Sequence, residues 1–379
     1  MFKKLLALII CALLFSALIL PVSAKITAPV APPSLSAQSA VLIEARDGEI
    51  LCEKNAHTKM AMASTTKIMT ALVAAESGKL QRVVSVNAAA VGVEGSSIYL
   101  YAGEKMTLCD LIAAMLLESA NDAAAAIAIE VGGSIDGFCD MMNKKAKELG
   151  LKSTNFKNPH GLYDEEHYTT AYELALIARE ALKNEVIRKT VATKKLIIEP
   201  VEGSARALYN HNKLLSMYEG AIGVKTGFTK KSGRCLVGSA VRDGLELISV
   251  TLNAPDDWND HKKLFDLGFS GFTALQLAKK GDVCHVQEVM GGTEETLSLL
   301  YGDDVFVTVK KGDENRIEKT VETLCRYEFA PVVKGKTAGT VYFTIDGEVL
   351  SEVSLITASD VKRAKVSNGI FAKILTLFK

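Results

Sequence analysis

Met62-Ala63-Ser64-Thr65-Thr66-Lys67-Ile68-Met69-Thr70-Ala71-Leu72 places a hydroxyl and an amine three residues apart at the start of a periodic apolar run. Ile68, Met69, Leu72 and Val73 recur at helical spacing, so the stretch predicts a helix that begins near Ser64 and buries one face. Upstream, Val41 to Ile43 and Ile50 to Cys52 flank Arg46-Asp47-Gly48, a short-range hairpin signal. Downstream, Thr107 and Asp110 open a helix running through Met115 to Leu117, and an alanine-rich run from Asp122 to Ile129 ends at Gly132-Gly133. Ser134 to Leu149, and Thr170 to Lys183 with Glu173 at the capping-box position, complete a helical middle. After residue 220 the period changes. Gly220 to Thr229, Arg234 to Val241 and Leu245 to Asn253 read as consecutive strands with a turn at Asp243-Gly244, and Asn259 to Gly268 reads as helix. Strands therefore bracket helices: an α+β domain, residues 39–275, whose helical part is inserted between the first hairpin and the later strands.

The 379 residues carry 44 basic and 44 acidic side chains, and 48% are hydrophobic. Such a chain buries a full core in two or three units, which excludes disorder and collagen-like structure. A neutral balance provides no field for gathering polyanions, so nucleic acid is not an expected partner. Lys3 and Lys4 precede an apolar run from Leu5 to Leu20 broken only by Ser16, and Pro21-Val22-Ser23-Ala24 follows. Residues 1–24 thus read as a signal peptide cleaved after Ala24, with an uncleaved anchor as the alternative. Cys11 lies inside the run, away from the cleavage site, which argues against a lipid-modified amino terminus. Cleavage leaves six cysteines at wide, irregular spacing, read mainly as small buried hydrophobes; the sharpest disulfide expectation is Cys284 with Cys325. No H-x-x-x-H or H-E-x-x-H occurs, and no metal or other cofactor is expected.

Residues 25–38, with Pro29, Pro32 and Pro33, read as an extended linker. Residues 276–358 read as a small all-β domain, from the runs Val305 to Val309 and Val341 to Ile345 and the Asp346-Gly347 turn into Val349 to Leu355. Residues 361–379 hold five basic and no acidic side chains, while Val366, Ile370, Phe371, Ile374, Leu377 and Phe378 share one helical face. That suits an amphipathic helix on an anionic membrane surface, or a helix packed on the β domain.

Three motifs stand in order: Ser64-Thr65-Thr66-Lys67, Ser119-Ala120-Asn121 and Lys225-Thr226-Gly227. The combination is that of penicillin-binding proteins and class A β-lactamases. Singly they are weak: S-x-x-K recurs at Ser359 to Lys362, and S-x-N at Ser85 to Asn87 and Ser153 to Asn155. Context selects Ser64 at a helix start, Ser119 between two helices and the single K-T-G on a strand. A serine hydroxyl attacks only after a base removes its proton, and Lys67 lies one turn on. Lysine serves as a base only when neutral; burial and a second cation lower its pKa, so Lys67 reads as base and Lys225 as fixed charge, with the reverse assignment open. Backbone N–H groups at the helix start and at Phe228 suit a developing oxyanion. Ser119 suits a proton relay to the leaving amine, Asn121 a contact to the substrate's amide, and Lys225, Thr226 and Gly227 reception of a substrate carboxylate. The plain readings are an N-cap for Ser64, a solvated lysine and a turn at Ser119 and Asn121. A phosphate loop at Gly220 to Thr226 fails on spacing and on the strand that follows. His160 reads as a histidine satisfied in a turn rather than a base.

With Asn158-Pro159-His160-Gly161-Leu162, Asn212-Lys213-Leu214-Leu215 and Gly223-Val224-Lys225-Thr226-Gly227-Phe228-Thr229 added, the chain resembles the serine-type D-alanyl-D-alanine carboxypeptidases over nearly its whole length. These are the low-molecular-mass penicillin-binding proteins of peptidase family S11. The resemblance implies a β-lactamase/transpeptidase-like catalytic domain, an antiparallel sheet with an inserted helical subdomain, then a β-rich domain and an amphipathic membrane anchor. It implies removal of the terminal D-alanine from peptidoglycan stem pentapeptides through an acyl-enzyme on Ser64, acylation of that serine by β-lactams, and a place at the outer face of the cytoplasmic membrane. Two departures stand out. Ala120 takes the place of the glycine usual in many members, and Asp256-Asp257-Trp258-Asn259-Asp260-His261 lacks the arginine that many members place beyond the K-T-G strand. A class A β-lactamase is the nearest rival, but the E-x-x-L-N string those enzymes share is absent. A catalytically silent peptidoglycan-binding scaffold is the other.

Overall fold

The computed structural model describes residues 29–201 and 204–365. The expected signal peptide, and residues 366–379 of the expected terminal helix, lie outside the described residues. The chain divides into a unit ending at Thr273 and one beginning at Ala274.

The first unit opens with the expected hairpin, β1 (Ser39–Glu44) and β2 (Ile50–Lys54). A 3-10 turn at Ala63–Thr66 leads into α1 (Lys67–Glu76), and the short strands β3 (Val83–Ser85) and β4 (Lys105–Thr107) pair with each other. Five helices follow: α2 (Leu108–Leu117), α3 (Asn121–Gly132), α4 (Ile135–Glu148), α5 (Ala171–Leu182) and α6 (Glu185–Ala192). A second small hairpin, β5 (Lys195–Ile198) with β6 (Arg206–Tyr209), and the single turn α7 (Leu214–Met217) precede β7 (Ala221–Thr229), β8 (Gly233–Arg242), β9 (Leu245–Leu252) and α8 (Asp257–Gly271). The large sheet runs β2-β1-β9-β8-β7, with β1 antiparallel to β9 from Ser39↔Leu252 to Glu44↔Leu247. The helices are thus an insertion between two halves of one sheet. β1 is buried at all six positions, the pattern of an inner strand covered on both faces.

The helix starts follow from their caps. The Thr107, Ser134 and Thr170 side chains accept hydrogen bonds from the backbone N–H groups of Asp110, Gly137 and Glu173, and Gly133 ends α3 at φ 76°. Glu173 does not close a capping box. Its carboxylate accepts from the N–H groups of Lys152 and Ser153 and from the Thr154 hydroxyl, fastening the preceding loop to α5. The stretch expected to run free as a linker is, from residue 29, fastened to the domain: Val30 N–H donates to the Leu51 carbonyl, and Ser36 and Ala37 donate to the buried Asp260 carboxylate.

The second unit is all β. β10 (Phe272–Ala278), which begins just before the boundary at Ala274, and β11 (Val283–Met290), β12 (Thr296–Tyr301), β13 (Val305–Lys310), β14 (Glu318–Thr323), β15 (Glu328–Phe329), β16 (Thr337–Ile345) and β17 (Glu348–Thr357) form a six-stranded sheet in the order β14-β16-β17-β12-β11-β15 and a β10-β13 pair. It has its own core, including Leu299, Val341 and Leu355. Residues 361–365, expected to open the terminal helix, are extended: Val361 bridges Val332 and Arg363 bridges Gly292. Cys284 and Cys325 do not pair; all six described cysteines are free thiols.

Candidate active site

Two non-glycine residues at the site take left-handed backbone angles, Ala63 at φ 48° and Ser119 at φ 59°. Such strain persists where surrounding structure over-determines it and concentrates at functional sites. At Ala63 it sets the turn that presents Ser64, and two glycines let that turn be packed tightly. A Cβ on Gly161, itself at φ 89°, would lie 1.9 Å from the Ala63 carbonyl oxygen, and one on Gly227 would lie 3.0 Å from the Ser64 nitrogen. The K-T-G strand therefore passes directly against the start of the serine helix. Ser64 is not a cap: neither the 3-10 turn nor α1 has a side-chain cap hydrogen bond.

Lys67 is fully buried and has three partners: Ser64 Oγ at 3.0 Å, Asn121 Oδ1 at 2.6 Å and the His160 carbonyl at 2.7 Å. Burial lowers its pKa well below the usual lysine range, and the neighbouring Lys225 charge lowers it further, against an opposing pull from Asp122. A neutral amine has two N–H groups and one lone pair. Two carbonyl acceptors take the N–H groups, which leaves the lone pair for the Ser64 hydroxyl. Asn121, expected to meet the substrate's amide, has both ends engaged within the protein; its Nδ2 donates to the Glu94 carbonyl at 2.5 Å. Lys225, expected to face a carboxylate, is 1% exposed, and its Nζ donates to the Thr226 carbonyl. Burial lowers its pKa to about 7. His160 and His167 are pushed down to about 3 and about 4, chiefly by burial, so both rings stay neutral and are weak bases for the Ser64 proton.

A cavity of about 570 Å³ opens over this arrangement, lined by Ser64, Ser119, Thr226, Gly227 and Phe228 among others. Of the expected site residues, these five reach the cavity while Lys67, Asn121 and Lys225 lie behind it. Three contributors were not read from the sequence as site residues. The His160 main-chain carbonyl acts through the backbone and leaves no side-chain signal. Asp122 binds the Ser97 hydroxyl and the Ile98 and Leu100 N–H groups, holding the loop whose Ser96 carbonyl accepts from Asn121 N–H. Arg234 lines the cavity from β8, a position visible only once the strand register is known. No cluster of metal-ligating side chains occurs among the described residues.

A serine bonded to a buried lysine at a helix start, beside a strand that borders the cleft, defines a serine hydrolase of the penicillin-binding class. The chain belongs to the D-alanyl-D-alanine carboxypeptidase family S11: the model of that description matches residues 26–256, and that of the penicillin-binding protein 5 C-terminal domain matches residues 272–363. It is 37% identical over 337 residues to D-alanyl-D-alanine carboxypeptidase DacF of Bacillus subtilis, covering 86% of each chain. It is 30% identical to DacA of Haemophilus influenzae, covering 91% of this chain and 89% of that one. Among solved structures, penicillin-binding protein 5 of Haemophilus influenzae matches with a TM-score of 0.73 and 30% identity, over 88% of this chain and 100% of that one. A mutant of the Streptomyces K15 DD-transpeptidase matches with a TM-score of 0.60 and 34% identity, over 62% of this chain and 99% of that one. The expected fold is thereby established for both units.

Proposed function

We propose that this enzyme removes the terminal D-alanine from peptidoglycan stem peptides through an acyl-enzyme on Ser64, and that β-lactams acylate the same hydroxyl. The observation that carries the reading is the set of three Lys67 contacts, which aims the lone pair of a neutral amine at Ser64. Lys67 takes the hydroxyl proton as Oγ attacks the penultimate carbonyl. The N–H groups of Ser64 and Phe228 receive the oxyanion, and Ser119 passes the proton to the departing D-alanine. Water then releases the shortened peptide. Asn121 positions the base, Lys225 helps keep it neutral, and Gly227 lets the strand approach.

Wild type incubated with an acyl-D-alanyl-D-alanine peptide is expected to release D-alanine and to retain a fluorescent penicillin as a long-lived adduct. S64A is expected to do neither, a loss of at least ~10³-fold in rate. Undiminished D-alanine release by S64A would refute the mechanism; rapid loss of label from the wild type would favour the lactamase alternative. The relatives' cell-wall role supports an exported location. The five basic and no acidic side chains of residues 361–379, with apolar residues at helical spacing from Val366 to Phe378, support attachment to the outer face of the cytoplasmic membrane. Sedimentation with anionic vesicles, with and without those residues, tests the attachment; equal binding would end it.

A further inference from the structure

A carboxypeptidase must recognise a free carboxylate at the substrate's end, and the cations around this cleft are unequal to that task. Lys225 is buried behind the cavity, its amine is engaged by the Thr226 carbonyl, and a pKa near 7 leaves it about half charged at neutral pH. His211 and Lys213 also line the cavity, but His211 lies 3.2 Å from the Glu118 carboxylate, and the exposed Lys213 offers a flexible point charge without the planar fork that matches a carboxylate. Arg234 differs on each count. Its guanidinium is charged at every working pH. It stands at the start of β8, paired with Phe228 of β7. Residues opposite one another share a sheet face, and so do alternate residues along a strand, so Thr226, Phe228 and Arg234 belong to one face. All three line the cavity with Ser64.

The arginine is also held in place. Its Nη2 donates to Asp257 Oδ1 at 2.9 Å, and its guanidinium lies 5.6 Å from the Trp258 ring centroid. Asp257 anchors one edge of the guanidinium from a buried position: its side chain is 3% exposed and also accepts from the Trp258 N–H, whereas the Arg234 side chain is 41% exposed. The bond to Asp257 uses one of five N–H donors, which leaves donors for a second carboxylate.

Resting on the carboxypeptidase reading above, we propose that Arg234, positioned by Asp257 and Trp258, is the specificity residue that receives the substrate's terminal carboxylate together with the Thr226 hydroxyl. In this chain the receptor comes from the strand beside the K-T-G strand rather than from the segment Asp256 to His261, which holds no arginine.

The test compares two substrates on the full-length enzyme: an acyl-D-alanyl-D-alanine peptide with a free carboxylate, and an acyl-D-alanine methyl ester that exercises Ser64 without one. R234Q is expected to lose roughly 10- to 100-fold in kcat/KM on the peptide, mostly through KM, the scale of one charge-assisted hydrogen bond. Its ester hydrolysis should stay within about 3-fold of wild type. R234K, which keeps the charge but not the fork, is expected to fall between R234Q and wild type on the peptide. Equal losses on both substrates would show a merely structural arginine and overturn the proposal, as would an R234Q enzyme with undiminished peptide activity or an R234K enzyme no better than R234Q. If the wild type hydrolyses the ester but releases no D-alanine, the carboxypeptidase reading falls, and this proposal with it. If the wild type releases D-alanine and R234Q equals it, only the role of Arg234 falls.

Discussion

Lys67 shows how one buried amine is tuned by its neighbours. Burial is the main cause of its lowered pKa, the Lys225 charge lowers it further, and Asp122 opposes both. A general base works only when deprotonated, so the acid limb of the pH–rate profile tracks this balance. D122N removes the opposing charge, and the limb should move to lower pH; K225Q removes the assisting cation, and the limb should move to higher pH. The readout is the pH dependence of the acylation rate constant with a fluorescent penicillin. Shifts of the same sign in both variants would contradict the assignment. Much of this site was legible in the residues themselves, because Ser64 and Lys67 share a helical turn and Lys225 stands in a distinctive strand. What stayed hidden was of two kinds. Main-chain acceptors such as His160 carry no residue signature, and Arg234 meets the site only through strand register. The amide of Asn121 was legible as a site group but not in its orientation, since its partner, the loop at Glu94, is held by Asp122 through a fold that no local motif announces.

At the level of elements, the serine helix is set by what presses on its first turn. Gly161 is the tightest such contact, since any Cβ there meets the Ala63 carbonyl at 1.9 Å. G161A is expected to displace Ser64, reducing penicillin acylation at least ~10²-fold and costing several kcal/mol, roughly 3, from overpacking plus left-handed strain. Gly92 also has a positive φ, 74°, but nothing lies within 4 Å of its would-be Cβ. G92A should therefore show only the backbone cost of about 1 kcal/mol and keep wild-type acylation. Thermal melting and labelling rates on the two variants decide it; equal damage in both would remove the special role given to Gly161. The same logic explains which elements the sequence exposed. β7, β8 and β9 are readable because they are runs of eight to ten residues rich in apolar and β-branched side chains, with Asp243-Gly244 turning β8 into β9. β3 and β4 are three residues each and show no such run. The β5–β6 hairpin and α6 went unread too, the hairpin because its four-residue strands are polar or half-exposed along much of their length. The pairing of β1 with β9 was inferable only as topology, since some 200 residues separate the partners.

Across the whole molecule, the buried lysines and histidines of the first unit make its stability depend on pH, while the second unit has its own core. Lys225 has a folded pKa of about 7 against 10.5 unfolded, so between those values the unfolded chain binds more protons and stability rises with pH. Lys67 acts in the same direction. His160, His167 and His261 fall from 6.5 to about 3, about 4 and about 3, so the same sign holds between about pH 6.5 and 4, and stability is lost as pH falls through that window. Each withheld proton contributes about 1.4 kcal/mol per pH unit, and three histidines together remove roughly 4 kcal/mol per unit at the steepest point, a large share of the 5–15 kcal/mol that stabilises a typical domain. Calorimetry of the full chain is expected to show two transitions, one for each core. The transition of the first unit should climb from pH 5 to about pH 8, below the range in which buried thiols such as Cys52, Cys139 and Cys235, pushed up to about 11 by burial, act with the opposite sign. K225M should raise the first transition at pH 7, because it removes a buried amine that charges at a cost, and should do so while lowering peptide hydrolysis. A first transition that is flat above pH 7, or one that K225M lowers, would show that the buried lysines do not strain the fold in which they act.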